Sequence, residues 1–114
     1  MTVQEIKEKL GLTVCCGDDL LHREVTGGYA GDLLSDVMGN SKAGDIWVTM
    51  QVHVNIIAVA ILKDLAAVIL VSGRRPAEDT LKKARDEKIP ILLSQLPSYE
   101  IAGKLYFLGV GSGA

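Results

Sequence analysis

Apolar positions in this chain fall into short periodic blocks separated by glycine, proline and acidic turns. Val3, Ile6 and Leu10 stand three to four residues apart with charges between them, the spacing of a short amphipathic helix that ends before Gly11. Residues 12–16 and 20–25 read as two short strands, and Gly17-Asp18-Asp19 between them makes a hairpin or a crossover. A turn at Val25-Thr26-Gly27-Gly28-Tyr29-Ala30-Gly31-Asp32 leads into a helix over 32–38, stopped by Gly39-Asn40. Residues 45–50 form the next strand and 54–65 a helix. The run 66–71 is apolar at every position, which predicts a central strand covered on both faces.

A second glycine turn, Val71-Ser72-Gly73-Arg74-Arg75-Pro76, precedes a helix over 76–88. Its proline lies near the start, Glu78 and Asp79 fall in the first turn, and Lys82, Lys83, Arg85 and Lys88 gather toward the other end, as the helix dipole favours. Pro90 within 89–93 predicts a strand at an edge or at its first residues. A last helix over 97–108 carries Ile101, Leu105 and Leu108 on one face with Tyr99 and Tyr106 flanking it, and 109–114 reads as a flexible tail. Helices alternating with short strands predict one α/β layered domain over 1–108, a mostly parallel sheet flanked by helices.

Composition sharpens this picture. The chain is 48% apolar but holds one Trp and one Phe, so its core is aliphatic and suits a buried parallel sheet. So aliphatic a sheet, with few helices to cover it, predicts a homodimer. Net charge is −2 and the basic residues are dispersed, which predicts no nucleic-acid partner and no anionic membrane surface. The stretch 56–71 is broken by Lys63-Asp64 and is too short to span a bilayer, and the first residues lack a signal-peptide pattern, so the expected compartment is the cytoplasm. Cys15 and Cys16 are adjacent, a spacing that suits neither a metal nor an easy disulfide; they read as strand residues, with a redox or thiol-ligand role as the alternative. No metal or cofactor is expected, since His22 and His53 have no cysteines or paired carboxylates at ligand spacing.

Glycine turns at strand ends present backbone N–H groups and helix starts to ligands. Thr26, Gly27 and Gly28 therefore line a candidate pocket, or the glycines supply positive φ for a turn before Asp32. Thr49, Gln51, His53 and Asn55 recur at every second position and would share one side of an extended segment. They would offer a hydroxyl, two amides and an imidazole to one ligand. Alternatively Thr49 and Gln51 face solvent while His53 or Asn55 caps the next helix. Ser72, Gly73 and Arg75 suit an anion, through free amides and a guanidinium, or Arg74-Arg75 is a solvated pair. His53 could act as a general base, although spacing identifies neither a nucleophile nor an orienting carboxylate. Gly109-Val110-Gly111-Ser112-Gly113 lacks the lysine and following helix of a phosphate loop.

Asp45-Ile46-Trp47-Val48-Thr49, Ile56-Ile57-Ala58-Val59-Ala60, Val68-Ile69-Leu70-Val71-Ser72-Gly73-Arg74-Arg75-Pro76, Ile89-Pro90-Ile91-Leu92 and Tyr99-Glu100-Ile101-Ala102-Gly103-Lys104-Leu105 together resemble the DRTGG domain family over nearly the whole chain. Domains of that family occur with CBS domains and in phosphotransacetylases, and are similar to the N-terminal, non-catalytic domain of HPr serine kinase/phosphorylase. The resemblance implies an α/β regulatory module that commonly dimerises. The chain looks most like small stand-alone members found near iron-only hydrogenase genes, in which a Gly-rich turn precedes Asp-Leu-Leu-Ser-Asp-Val-Met. The family's Asp-Arg falls at Val52-His53 and its Thr-Gly-Gly at Val71-Ser72-Gly73, so only the last glycine is kept.

The combined expectation is a non-enzymatic regulatory or ligand-binding homodimer that senses a small anion, a nucleotide or phosphorylated metabolite. The alternatives are an interaction scaffold for an iron-only hydrogenase or similar redox-enzyme partner, and an enzyme using His53. Kinase activity is not expected, because no Gly-Lys-Ser/Thr loop is present to hold ATP.

Overall fold

The computed structural model describes residues 1–111. Its elements follow in the order α1 (Val3–Leu10), β1 (Thr13–Cys16), a 3-10 turn (Asp18–Leu20), β2 (Gly27–Ala30), α2 (Leu34–Asn40), β3 (Asp45–Thr49), α3 (Asn55–Leu62), β4 (Ala67–Leu70), α4 (Glu78–Asp86), β5 (Ile91–Leu93) and α5 (Ser98–Phe107). The five strands form one sheet in the order β1-β5-β4-β3-β2. β2 to β5 are mutually parallel, and β1 is antiparallel to β5. The chain is thus the α/β layered domain with a mostly parallel sheet that its periodicity predicts. No helix among the described residues is long and apolar enough to cross a membrane.

Strand alternation divides the core. Ile46, Val48, Ala67, Ile69 and Leu92 point to one face, where Val3 and Ile6 of α1 and Ile101 and Leu105 of α5 cover them. Trp47, Val68, Leu70 and Ile91 point to the other face, under Val37 of α2, Ile56, Ile57 and Ala60 of α3 and Ala84 of α4. β4 is buried at every position, as its unbroken apolar run requires. Pro90 precedes β5, which lies between β4 and β1, so the proline marks a strand start and not an edge.

Residues 20–25 do not form the expected strand, because their backbone serves α1 instead. The carbonyls of Arg23 and Leu21 accept from the N–H groups of Val3 and Gln4 (3.0 and 2.9 Å), which have no acceptor inside the helix. The Thr2 hydroxyl takes the N–H of Glu5, and the Glu5 carboxylate takes the N–H of Thr2, closing a capping box that holds the Glu5 carboxyl below its usual range. The glycine turn expected at 26–31 is itself largely strand: 27–30 is β2, the parallel edge beside β3. Glycine is needed at 27 for close approach, since a Cβ there would lie 2.6 Å from Asp45 Oδ1, whereas one on Gly28 would meet Val110 at an ordinary contact distance of 3.6 Å.

The stretch 109–111 is not free chain. Val110 is 8% exposed within the α1–α5 core, and the rest of the expected tail, 112–114, lies outside the described residues. Cys16 is buried, with Sγ 3.5 Å from the Ile89 carbonyl, and burial pushes its thiol up from the ordinary value. Cys15 is only half-buried. Native protein treated with iodoacetamide at pH 8 is therefore expected to label Cys15 at least ~10-fold faster than Cys16, the two becoming equal in urea. Equal native rates by mass spectrometry would show that β1 opens more readily than its packing implies.

Candidate functional site

Carboxyl ends of β2 to β5 share one rim, where parallel α/β sheets present their loops. The β2–α2 loop is tied down there by four hydrogen bonds from β3 and the segment after it, three from side chains and one from a backbone N–H. Trp47 Nε1 donates to the Gly31 carbonyl at 2.8 Å. The Thr49 hydroxyl and the Met50 N–H both donate to Asp32 Oδ1, at 2.8 and 2.7 Å, and Gln51 Nε2 donates to the Asp32 carbonyl at 2.8 Å. Thr49 is fully buried, so the Asp32 carboxylate is the acceptor that allows a hydroxyl at the end of a strand otherwise packed in hydrocarbon.

The four alternate residues after Trp47 do not fan into one mouth. β3 ends at Thr49, and the chain turns before α3 begins at Asn55. Thr49 and Gln51 turn inward to Asp32, while His53 and Asn55 are exposed. Neither caps α3, whose start has no side-chain cap. The His53 carbonyl accepts from Ile56 N–H, and its ring hydrogen-bonds to none of the described residues, so nothing orients it as a base.

Ser72 and Gly73 stand at the end of β4 with φ of +58° and +71°, and the Arg74 N–H returns to the Val71 carbonyl at 3.1 Å. Positive φ at both central positions marks a type I′ turn. The turn's amides are committed. Ser72 N–H donates to the Leu96 carbonyl and Gly73 N–H to the Ser94 carbonyl, at 2.8 and 2.9 Å, which staples β4 to the chain after β5. The expected convergence of free amides on an anion is therefore not what this turn offers.

What it offers is side chains. A depression of about 180 Å³ lies between this turn and the β1–β5 edge, lined by Thr13, Gly73, Arg74, Arg75, Ser94 and Gln95 among others. Both arginines are exposed, neither forms an ion pair among the described residues, and no carboxylate lines the depression. Thr13 and Gln95 were not foreseen. Only the antiparallel return of β1 against β5 brings Thr13 to this rim.

Thr26, Gly27 and Gly28 lie at the opposite end of the sheet. They line a separate depression of about 370 Å³ with Asn40, Lys42 and Asp45, at the amino ends of β2 and β3. Gly27 pairs with Asp45, the first residue of β3, whereas Thr49 is its last. At ~3.3 Å per residue, the two groups are about 13 Å apart along the strand. The ten expected residues thus divide among an amino-end cleft (Thr26, Gly27, Gly28), a carboxyl-rim scaffold (Thr49, Gln51), the exposed approach to α3 (His53) and its first residue (Asn55), the arginine depression (Gly73, Arg75), and Ser72, which stands in the same turn but does not line that depression. No group of three or more His, Cys, Asp or Glu that could hold a metal occurs among the described residues.

No family model matches the chain. No curated protein matches it either. Among solved structures, it is similar to the crystal structure of the CBS and DRTGG domains of the regulatory region of Clostridium perfringens pyrophosphatase, complexed with the activator diadenosine tetraphosphate. The TM-score is 0.68 at 15% identity, and the match covers 91% of this chain and 45% of that one. This chain therefore spans less than half of that neighbour. The likeness is one of fold and supports the DRTGG-like architecture that the sequence pattern suggests.

Asp32→Ala is expected to cost about 1–3 kcal/mol of stability, because it leaves the buried Thr49 hydroxyl and the Met50 N–H without an acceptor. Asp32→Asn, which keeps an oxygen, should recover part of it. Urea melts giving Asp32→Ala the wild-type midpoint would remove Asp32 as the organiser of the rim.

Proposed function

We propose that the chain is a non-catalytic regulatory module that binds a small anionic ligand at the Arg74–Arg75 depression and works as a homodimer. The observation that carries this reading is the pair of guanidiniums with no ion pair among the described residues, beside Thr13, Ser94 and Gln95, in a cavity that no carboxylate lines. Guanidiniums recognise phosphate through paired, charge-assisted hydrogen bonds. At about 180 Å³ the depression is smaller than the ~300–1,000 Å³ that encloses a drug-sized molecule. It suits one phosphate group of a nucleotide or phosphorylated metabolite, the rest of the ligand extending over the rim. That the structurally similar pyrophosphatase region was crystallised with a nucleotide activator supports the same class.

A scaffold role is the second reading, favoured by Leu33 and Leu62, 68% and 71% exposed on the α2–α3 side. On that reading the α2–α3 face docks a protein partner, such as a redox enzyme of the iron-only hydrogenase type.

Inorganic phosphate, AMP, ATP and diadenosine tetraphosphate, screened by thermal shift, test the first reading, since ligand at one hundred times its Kd adds ~2.7 kcal/mol of stability. Arg75→Ala is expected to weaken the best of these by about 1.5–3 kcal/mol in calorimetry while leaving the fold intact, because an exposed guanidinium contributes little packing. Gly73→Val should weaken binding and also lower stability, since a β-branched residue resists the positive φ of this turn. Unchanged affinity in Arg75→Ala removes the anion site and leaves the scaffold as the leading reading.

A further inference from the structure

α5 buries Ile101 and Leu105 against the sheet, yet its outward surface is not that of a solvated helix. Tyr99 is 89% exposed, Tyr106 66% and Phe107 92%. Three rings so placed leave on the order of 500 Å² of aromatic surface in water, given ~150–250 Å² for each. That is at the upper end of what monomers leave bare as one patch. A depression of about 670 Å³ runs along the same helix, lined by Lys9, Leu10, Tyr99, Lys104 and Phe107 among others.

Between the rings the helix is thin. Gly103 sits in its interior, where glycine is costly, and nothing lies within 4 Å of the position its Cβ would take. No neighbour among the described residues calls for that glycine. It opens the outer face to close approach by another backbone.

We infer that this face pairs with the same face of a second copy, the two α5 helices lying antiparallel across a two-fold axis near Ala102 and Gly103. The inference rests on the dimer proposed above and adds the surface that forms it. A two-fold contact must be self-complementary. About that centre Tyr99 and Tyr106 are equidistant, so each ring of one copy meets the other ring of its mate, and Glu100 comes within one residue's rise, ~1.5 Å, of the level of Lys104. These two residues stand four apart on one helix, yet neither forms an ion pair among the described residues. A patch carrying both signs matches itself better than it matches a partner of one strong charge. The aromatic area is also a large part of the ~800 Å² that each partner contributes to a standard interface.

Sedimentation velocity from about 1 to 100 µM, the range over which an interface of modest size assembles, tests this directly. Wild type is expected at twice the chain mass. Gly103→Lys and Phe107→Glu should each raise the dimer Kd at least ~100-fold with unchanged far-UV circular dichroism, while Leu62→Glu, on the other exposed apolar face, stays dimeric. Gly103→Cys should form a diamide-induced disulfide dimer absent from wild type, which needs Cα atoms within ~7 Å and does not depend on a charge being tolerated. A dimer that survives Gly103→Lys, gives no disulfide with Gly103→Cys and dissociates in Leu62→Glu overturns the α5 surface but leaves the dimer. A wild-type monomer throughout the range overturns both.

Discussion

A parallel sheet must be covered on both faces, and the way this chain meets that need determines the rest of the molecule. β2, β3, β4 and β5 are laid down in one direction across the sheet, each beside the last. α2, α3 and α4, which connect them, all fall on the Trp47 side. Nothing between the parallel strands is left for the Ile46 side, so the two terminal helices close it. The sheet order also does not reverse among its parallel strands. The crevice that such a reversal opens in doubly wound folds is therefore absent, and polar chemistry is confined to small depressions along the rim.

At that rim, groups that look available in the sequence are largely spent on structure. Thr49 and Gln51 hold the β2–α2 loop through Asp32, and the amides of Ser72 and Gly73 join β4 to the chain after β5. A strand that ends in a buried threonine, or a turn with positive φ at a serine, needs such partners to be stable. The arginines are under no such demand. Their side chains form no ion pair among the described residues, which is why the functional reading rests on them and not on the glycines beside them.

Much of the architecture was legible because it follows from local signals. The unbroken apolar run before Val71 marked the central strand, and the acidic start and basic end of α4 marked that helix. What could not be read depended on distant partners. Leu20 to Val25 has the apolar content of a strand, but the amide donors of α1 claim its carbonyls. Gly27 and Gly28 look like a turn until their pairing with Asp45 and Ile46 is seen, with the Asp45 carboxylate in the space a side chain on Gly27 would need. The candidate pocket was half legible. Ser72, Gly73 and Arg75 do share a rim, but Thr26 to Gly28 sit at the far end of the strands, since alternation gives the side a residue faces and not the end of the sheet it occupies.

α5 packs on β2 and β3, the strands at the far side of the sheet from β5, which immediately precedes it. During synthesis the β2–β3 part of the Ile46 face therefore stays open until α5 has left the ribosome, although all five strands, the three crossover helices and α1 precede it in the chain. Completion of the core waits on a contact spanning more than half the chain, and such long-range closure is slow to form. A chain interrupted before 98–107 would leave the aliphatic surface that Ile101 and Leu105 cover open to water, with only α1 on that side of the sheet. For this fold, the window of exposure to chaperones and aggregation lasts until α5 has emerged and docked.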